Sequence, residues 1–137
     1  MLEEVYDFTV MDYKSRITIP LKVRKLLGLR EGMKFLVIAN ALRKEVRIIP
    51  LAELHAKVYR IRILMADRPG VLAKVATLLA EENVDLLMTE SRTIRRGEIA
   101  EWIVMADLSK CKLDVSELLD RIRSFDFVKN IEIAQLG

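Results

Sequence analysis

The stretch Arg60-Ile61-Arg62-Ile63-Leu64-Met65, then Ala66-Asp67-Arg68-Pro69-Gly70, then Val71-Leu72-Ala73-Lys74-Val75-Ala76-Thr77-Leu78-Leu79, changes its hydrophobic period in mid-course. Ile61, Ile63 and Met65 alternate with Arg60, Arg62 and Leu64, the two-residue period of a strand. Val71, Leu72, Val75, Leu78 and Leu79 then fall on one helical stripe. Pro69-Gly70 marks the boundary. Further along, strands are expected at Val84–Ile94 and Glu98–Leu108, joined by a tight Arg95-Arg96-Gly97 turn. Asp114-Val115-Ser116-Glu117 spells a capping box with Asp as the cap, and opens a helix with Val115, Leu118, Leu119 and Ile122 on one face. A last strand runs from Phe127, with Ile131 and Ile133 inward. The order β-α-β-β-α-β is that of the ferredoxin-like split β-α-β, so the class is α+β. In the strand Ile99–Ala106, Trp102 and Val104 face one way and Ile103 and Met105 the other. Helices cover one face of such a sheet, so the second face needs another cover, expected to be a neighbouring domain of the same kind.

Upstream the elements are shorter. Tyr6, Phe8 and Val10 alternate with Asp7 and Thr9 as in a half-buried strand. Ile17 and Ile19 flank Thr18 in a second strand, stopped by Pro20. From Leu21, the apolar Val23, Leu26 and Leu27 share about 100° of helical arc, and Gly28 supplies the left-handed residue that ends the helix. Arg30-Glu31-Gly32 reads as a turn. Phe35–Ile38 and Val46–Ile49 make two more strands, the second ended by Pro50. About 50 residues in this arrangement bury too little surface to be stable alone, so this half is expected to share a core with a second copy. The organisation is therefore residues 1–52 as one domain, 53–57 as a short linker and 58–137 as the other domain.

Composition excludes several classes. The chain has 137 residues, 52% hydrophobic and 31% charged, an ordinary globular balance. The uncharged runs Phe35–Leu42 and Val75–Ala80 fall far short of the 18 or so residues of a membrane span. The start Met1-Leu2-Glu3-Glu4 is acidic and lacks an apolar leader core, so the expected location is cytoplasmic. One cysteine, Cys111, excludes an internal disulfide, and one histidine, His55, excludes two-histidine zinc motifs. No metal site, cofactor or catalytic constellation is expected, and the protein is not expected to be an enzyme. Net charge is only +3, but it is unevenly placed. Residues 14–34 hold seven basic residues and one acid, Glu31, which is how an electrostatic footprint looks.

Two resemblances sharpen these readings. Val10-Met11-Asp12-Tyr13-Lys14-Ser15-Arg16-Ile17-Thr18-Ile19-Pro20, followed by Val23-Arg24-Lys25-Leu26-Leu27-Gly28-Leu29, resembles the AbrB (SpoVT-AbrB) family of swapped-hairpin transcription regulators. That resemblance covers about residues 5–50 and implies that two chains interlock their hairpins into one small β-barrel. It implies that Arg16, Arg24 and Lys25 contact double-stranded DNA, with Lys14 and Lys22 as supporting phosphate contacts. Counterion release would then drive binding. Ser15 stands where the family usually has Gly, in a loop that Gly serves by admitting positive φ.

Asp67-Arg68-Pro69-Gly70-Val71-Leu72, some fifteen residues before Asn83-Val84-Asp85-Leu86, resembles the ACT domain, a β-α-β-β-α-β module that binds amino acids and regulates enzymes or transcription factors. Pro69 fits a first helical turn, where its missing N–H is no loss. Gly70 admits close approach of a ligand, and the N–H groups of Gly70, Val71 and Leu72 would face an α-carboxylate at the positive end of the helix dipole. The resemblance places Asp67 and Asp85, with Val84 beside it, where they would accept an α-ammonium. The expected function is thus a homodimeric, or higher even-numbered, DNA-binding transcriptional regulator whose ACT domain senses an amino acid effector. The alternative is a non-enzymatic regulatory or scaffold protein in which the barrel only dimerises and the ACT half binds a protein partner. No membrane partner is expected.

Overall fold

The computed structural model describes residues 3–51 and 55–136, and the chain divides into two compact units, residues 1–54 and 55–137. Of the expected linker, residues 53 and 54 lie outside the described residues.

The first unit is built on a turn, a short helix and a hairpin. Asp12 organises the turn: its backbone N–H donates to Arg16 O at 2.9 Å, and its Oδ1 accepts the N–H of Lys14 and of Arg16. Helix α1 spans Leu21–Leu27. It ends as the sequence predicts, with Gly28 at φ 65° and the Leu29 N–H returning to Arg24 O at 2.9 Å. Strands β1 (Phe35–Asn40) and β2 (Glu45–Pro50) form an antiparallel pair, with Phe35 opposite Pro50 and Asn40 opposite Glu45.

The strands expected at Tyr6–Val10 and Ile17–Ile19 are absent from the single chain. Tyr6, Phe8 and Val10 are 81%, 96% and 84% exposed rather than half-buried. The physical reason is the lack of a partner. A strand needs a ladder for its N–H and C=O groups and a cover for its apolar face. Within one chain the two arms are linked by Asp12 N–H to Arg16 O and by Thr9 Oγ1 to Thr18 O at 2.8 Å. A swapped-hairpin barrel is therefore not formed by one chain.

The second unit closes its own core. Strand β3 (Val58–Ala66), helix α2 (Val71–Glu81), strands β4 (Asp85–Arg95) and β5 (Ile99–Asp107), helix α3 (Val115–Arg123) and strand β6 (Val128–Gln135) follow in the expected ferredoxin-like order. The antiparallel sheet runs β4-β5-β3-β6, so β4 and β6 are its edges. Ile61, Ile63 and Met65 are buried, together with Val75 and Leu79 of α2, Trp102 and Val104 of β5, and Leu118 and Ile122 of α3. Helix α3 opens on the predicted capping box: Asp114 Oδ1 accepts the Glu117 N–H at 2.8 Å, and the Glu117 side chain returns to the Asp114 N–H. Helix α2 closes on a Schellman motif. Asn83 sits at φ 59°, its N–H bonds Ala80 O, and the Val84 N–H bonds Leu79 O while both side chains are buried. Asn83 and Val84 thus have a structural duty as helix terminators.

Candidate functional site

Three groups of residues matter. In the first unit, the basic residues lie on the Asp12–Arg16 turn and on α1, all exposed. Two of them already have work within the chain. Arg16 Nε pairs with Asp12 Oδ2 at 2.9 Å, and the Arg24 Nε–H donates to Ile19 O at 3.0 Å. The bonds from Arg16, and from Lys14, hold the Asp12 carboxyl below the usual carboxylate range. Lys14 Nζ lies 5.7 Å from the centre of the Tyr13 ring, while Lys22 and Lys25 point to solvent. Ser15 adopts φ 59° although it is not glycine.

In the second unit, the β3–α2 loop departs from expectation at three places. Arg68-Pro69-Gly70-Val71 forms a type II turn, with Gly70 at φ 84° and ψ −12° and the Val71 N–H on Arg68 O at 3.4 Å. Pro69 therefore precedes the helix instead of entering its first turn, and one of the three amides assigned to a ligand closes the turn instead. Gly70 is required by its φ: a Cβ there meets nothing within 4 Å. Asp67 is neither free nor a helix cap. Its Oδ2 accepts the Gly97 N–H at 2.7 Å, and its own N–H donates to Glu98 O at 3.1 Å. It pins the loop to the β4–β5 turn thirty residues away.

Asp67 and Asp85 do not meet in one domain. Ala66 pairs with Ile99 at one end of the sheet, whereas Val58 and Asp85 both face Asp107 at the other. Eight residues of strand at about 3.3 Å each separate the two ends by roughly 26 Å. Val71 and Val84 are buried core residues, and Leu72 is 38% exposed.

The third group was not foreseen. On the sheet face opposite the core, Arg92 of β4, Glu101 of β5, Arg62 of β3 and Glu132 of β6 alternate in charge across all four strands. Glu101 is 1% exposed; Arg92 Nε meets its Oε1 at 2.7 Å and Arg62 Nε meets its Oε2. Arg62 also reaches Glu132 at 3.7 Å. Burial pushes the Glu101 carboxyl up, but the two guanidiniums outweigh it and hold the group below its ordinary range. Asp107 behaves alike. Burial opposes its charge, and bonds from Ser109 and from the Lys57 N–H, with the Lys110 charge nearby, hold it low. The local hint was a Glu flanked on its face of β5 by Ile99, Ile103 and Met105; the register that brings the arginines to it joins residues 39 and 9 positions away.

The profile of the ACT domain family matches residues 59–127, half of the chain. The chain belongs to the ACT domain family. The chain is similar to a UPF0735 ACT domain-containing protein of Caldicellulosiruptor saccharolyticus, 31% identical over 79 residues, or 58% of this chain and 52% of that protein. A UPF0237 protein of Pyrobaculum aerophilum is 29% identical over 58 residues, covering 42% of this chain and 62% of its own length. The chain thus spans about half to two thirds of these curated relatives. Among solved structures, the ACT domain of the GTP pyrophosphokinase of Chlorobium tepidum aligns with 58% of this chain and 99% of its own, at 16% identity and a TM-score of 0.47. Among the described residues, no helix is long and apolar enough to cross a membrane.

Proposed function

We propose that this protein is a non-enzymatic DNA-binding regulator in which an AbrB-like N-terminal half binds the duplex and the ACT half senses an amino acid. The observation that carries the DNA reading is the state of the first unit. A basic turn and helix sit beside apolar arms that a single chain leaves uncovered: Phe8 is 96% exposed, Tyr6 81% and Tyr13 90%. Three aromatic rings this exposed within eight residues of chain fit a surface that a partner covers. A second copy laying its own arms against them would complete a barrel and double the set Lys14, Arg16, Lys22, Arg24 and Lys25. Counterion release from DNA phosphates would then provide most of the affinity.

The sensor reading rests on membership of the ACT family. The Asp67–Leu72 loop shapes one end of the sheet. Asp85 and Val84 approach that end only from a second copy. Antiparallel pairing of the exposed edge strand β4 with its counterpart would bring them there, because Asp85 and Arg95 lie at its opposite ends.

The alternative, a barrel that only dimerises, is favoured by one observation: Arg16 and Arg24 are partly engaged within the chain. Fluorescence anisotropy on a DNA duplex separates the two. If six to ten phosphates are contacted, affinity falls roughly 10³–10⁵-fold between about 50 and 200 mM salt. Lys22→Ala with Lys25→Ala should weaken binding and flatten the salt slope by roughly four charges per dimer. Salt-insensitive binding, or none, leaves the dimerisation reading. Arg24 is a poor test residue, since its removal also frees Ile19 O.

A further inference from the structure

Arg16 and Arg24 differ from the lysines around them in how their side chains are held. Each guanidinium is tied down through Nε alone. Arg16 Nε donates to Asp12 Oδ2 at 2.9 Å, and Arg24 Nε donates to Ile19 O at 3.0 Å. Their terminal nitrogens make no hydrogen bond among the described residues. Both acceptors are themselves fixed. Asp12 and Arg16 are joined again through Asp12 N–H to Arg16 O at 2.9 Å and Arg16 N–H to Asp12 Oδ1 at 3.0 Å. Ile19 precedes Pro20, whose carbonyl starts α1 by accepting the N–H groups of Val23 and Arg24. The ammonium groups of Lys14, Lys22 and Lys25, by contrast, are held by no hydrogen bond or ion pair among the described residues.

As a source of stability the Asp12–Arg16 pair is worth little. The Arg16 side chain is 66% exposed, and exposed ion pairs contribute weakly. Its consequence is geometric. A guanidinium is a rigid plane of N–H donors. A bond at Nε sets that plane and leaves the two terminal amino groups, on the far edge, as an open fork. We propose that Asp12 is the positioning residue for sequence readout, holding Arg16 as a fixed fork for the O6 and N7 acceptors of a guanine in the major groove. The Ile19 carbonyl does the same for Arg24. The proposal rests on the DNA reading of the N-terminal half and divides its basic residues by task. A phosphate takes a point charge from any direction, so a mobile lysine serves it well. A guanine edge offers two acceptors in one plane and needs two donors in that plane at once. Fixing the fork beforehand removes ordering that binding would otherwise require. The Asp12 carboxylate also opposes a polyanion, and a surface that only gathered phosphates would bind better without it.

The test is selection of duplexes from a randomised pool by the full-length chain, followed by anisotropy on the enriched duplex and on an unrelated one. The wild type should enrich guanines at two-fold related positions. Asp12→Asn keeps an oxygen for the Lys14 and Arg16 amides but removes the acceptor for Arg16 Nε. It should lower the preference for the enriched duplex by roughly 5- to 150-fold, the range of one bidentate base contact. Its affinity for the unrelated duplex should hold or rise, because a negative charge has gone. Arg16→Lys, which keeps the charge and loses the fork, should lose the same preference. Equal weakening on both duplexes would make Asp12 merely a turn former and overturn the proposal. So would an Asp12→Asn variant with wild-type preference. A wild type that binds duplexes with no preference also overturns it and leaves the DNA reading standing. A wild type that binds no duplex removes the DNA reading itself, and the proposal with it.

Discussion

The two halves of this chain use similar residues to opposite effect. In the ACT half, Ile61, Ile63, Val75, Leu79, Leu118 and Ile122 are at or below 1% exposure, and the sheet and two helices seal one another. In the N-terminal half, α1 buries no residue, and Tyr6, Phe8, Val10, Met11, Tyr13, Val37, Leu42 and Val46 all lie more than 60% exposed. The alternation that predicts a strand is just as regular at Tyr6–Val10 as at Ile61–Met65. The difference is whether the chain supplies the neighbour. Apolar alternation reports that a face will be covered, not by whom.

The sharpest way to break this comparison is to truncate one apolar residue in each half. Ile63→Ala should destabilise the ACT half by about 2–5 kcal/mol through the cavity it leaves, read by chemical denaturation. On the proposed dimer, in which a second copy covers that ring, Phe8→Ala should cost about 3–5 kcal/mol as well and shift the protein toward monomer. If Phe8→Ala is neutral, the ring is as exposed in solution as in the single chain, and the two halves differ far more than the account holds.

The next effect is electrostatic. Glu101→Gln removes the charge to which two guanidiniums donate and should cost about 1–3 kcal/mol, since Arg62 and Arg92 both reach water and can rehydrate. Glu101 and Asp107 have lowered folded-state pKa values. Their stabilisation is therefore fully present above the unfolded carboxylate range, near pH 4, and is lost as pH falls through the lower folded values. Acid titration followed by circular dichroism should show the wild-type ACT half losing stability below about pH 4. Glu101→Gln should show a shallower loss.

What could be read in advance follows the range of the interactions. The period change at Pro69-Gly70, the Asp114 capping box and the Gly28 helix end are each decided within a few residues, and each appears where the sequence places it. The positions of the charged groups are decided by register. Nothing near Asp67 announces that its carboxylate holds Gly97. Nothing near Asp85 announces that it faces Asp107, an entire strand length from Asp67. The motif aligns these two acids in sequence, but the antiparallel order β4-β5-β3 sends them to opposite ends. Ser15 shows the converse: a local misfit is tolerated because Asp12 fixes the turn from both sides.

That misfit gives the smallest prediction. Ser15→Gly relieves a left-handed residue and should raise stability by about 1 kcal/mol, seen as a higher melting temperature. An unchanged or lower value would mean that the loss of freedom in the unfolded chain outweighs the relief.

Amide hydrogen exchange resolved by residue shows directly whether the N-terminal arms are paired in solution. If a second copy supplies their ladder as proposed, the amides of Tyr6–Val10 and Ile17–Ile19 should be protected at micromolar concentration, and dilution should release them while β3 and β5 stay protected. Rapid exchange of those amides at every concentration, beside a protected ACT sheet, would contradict that pairing.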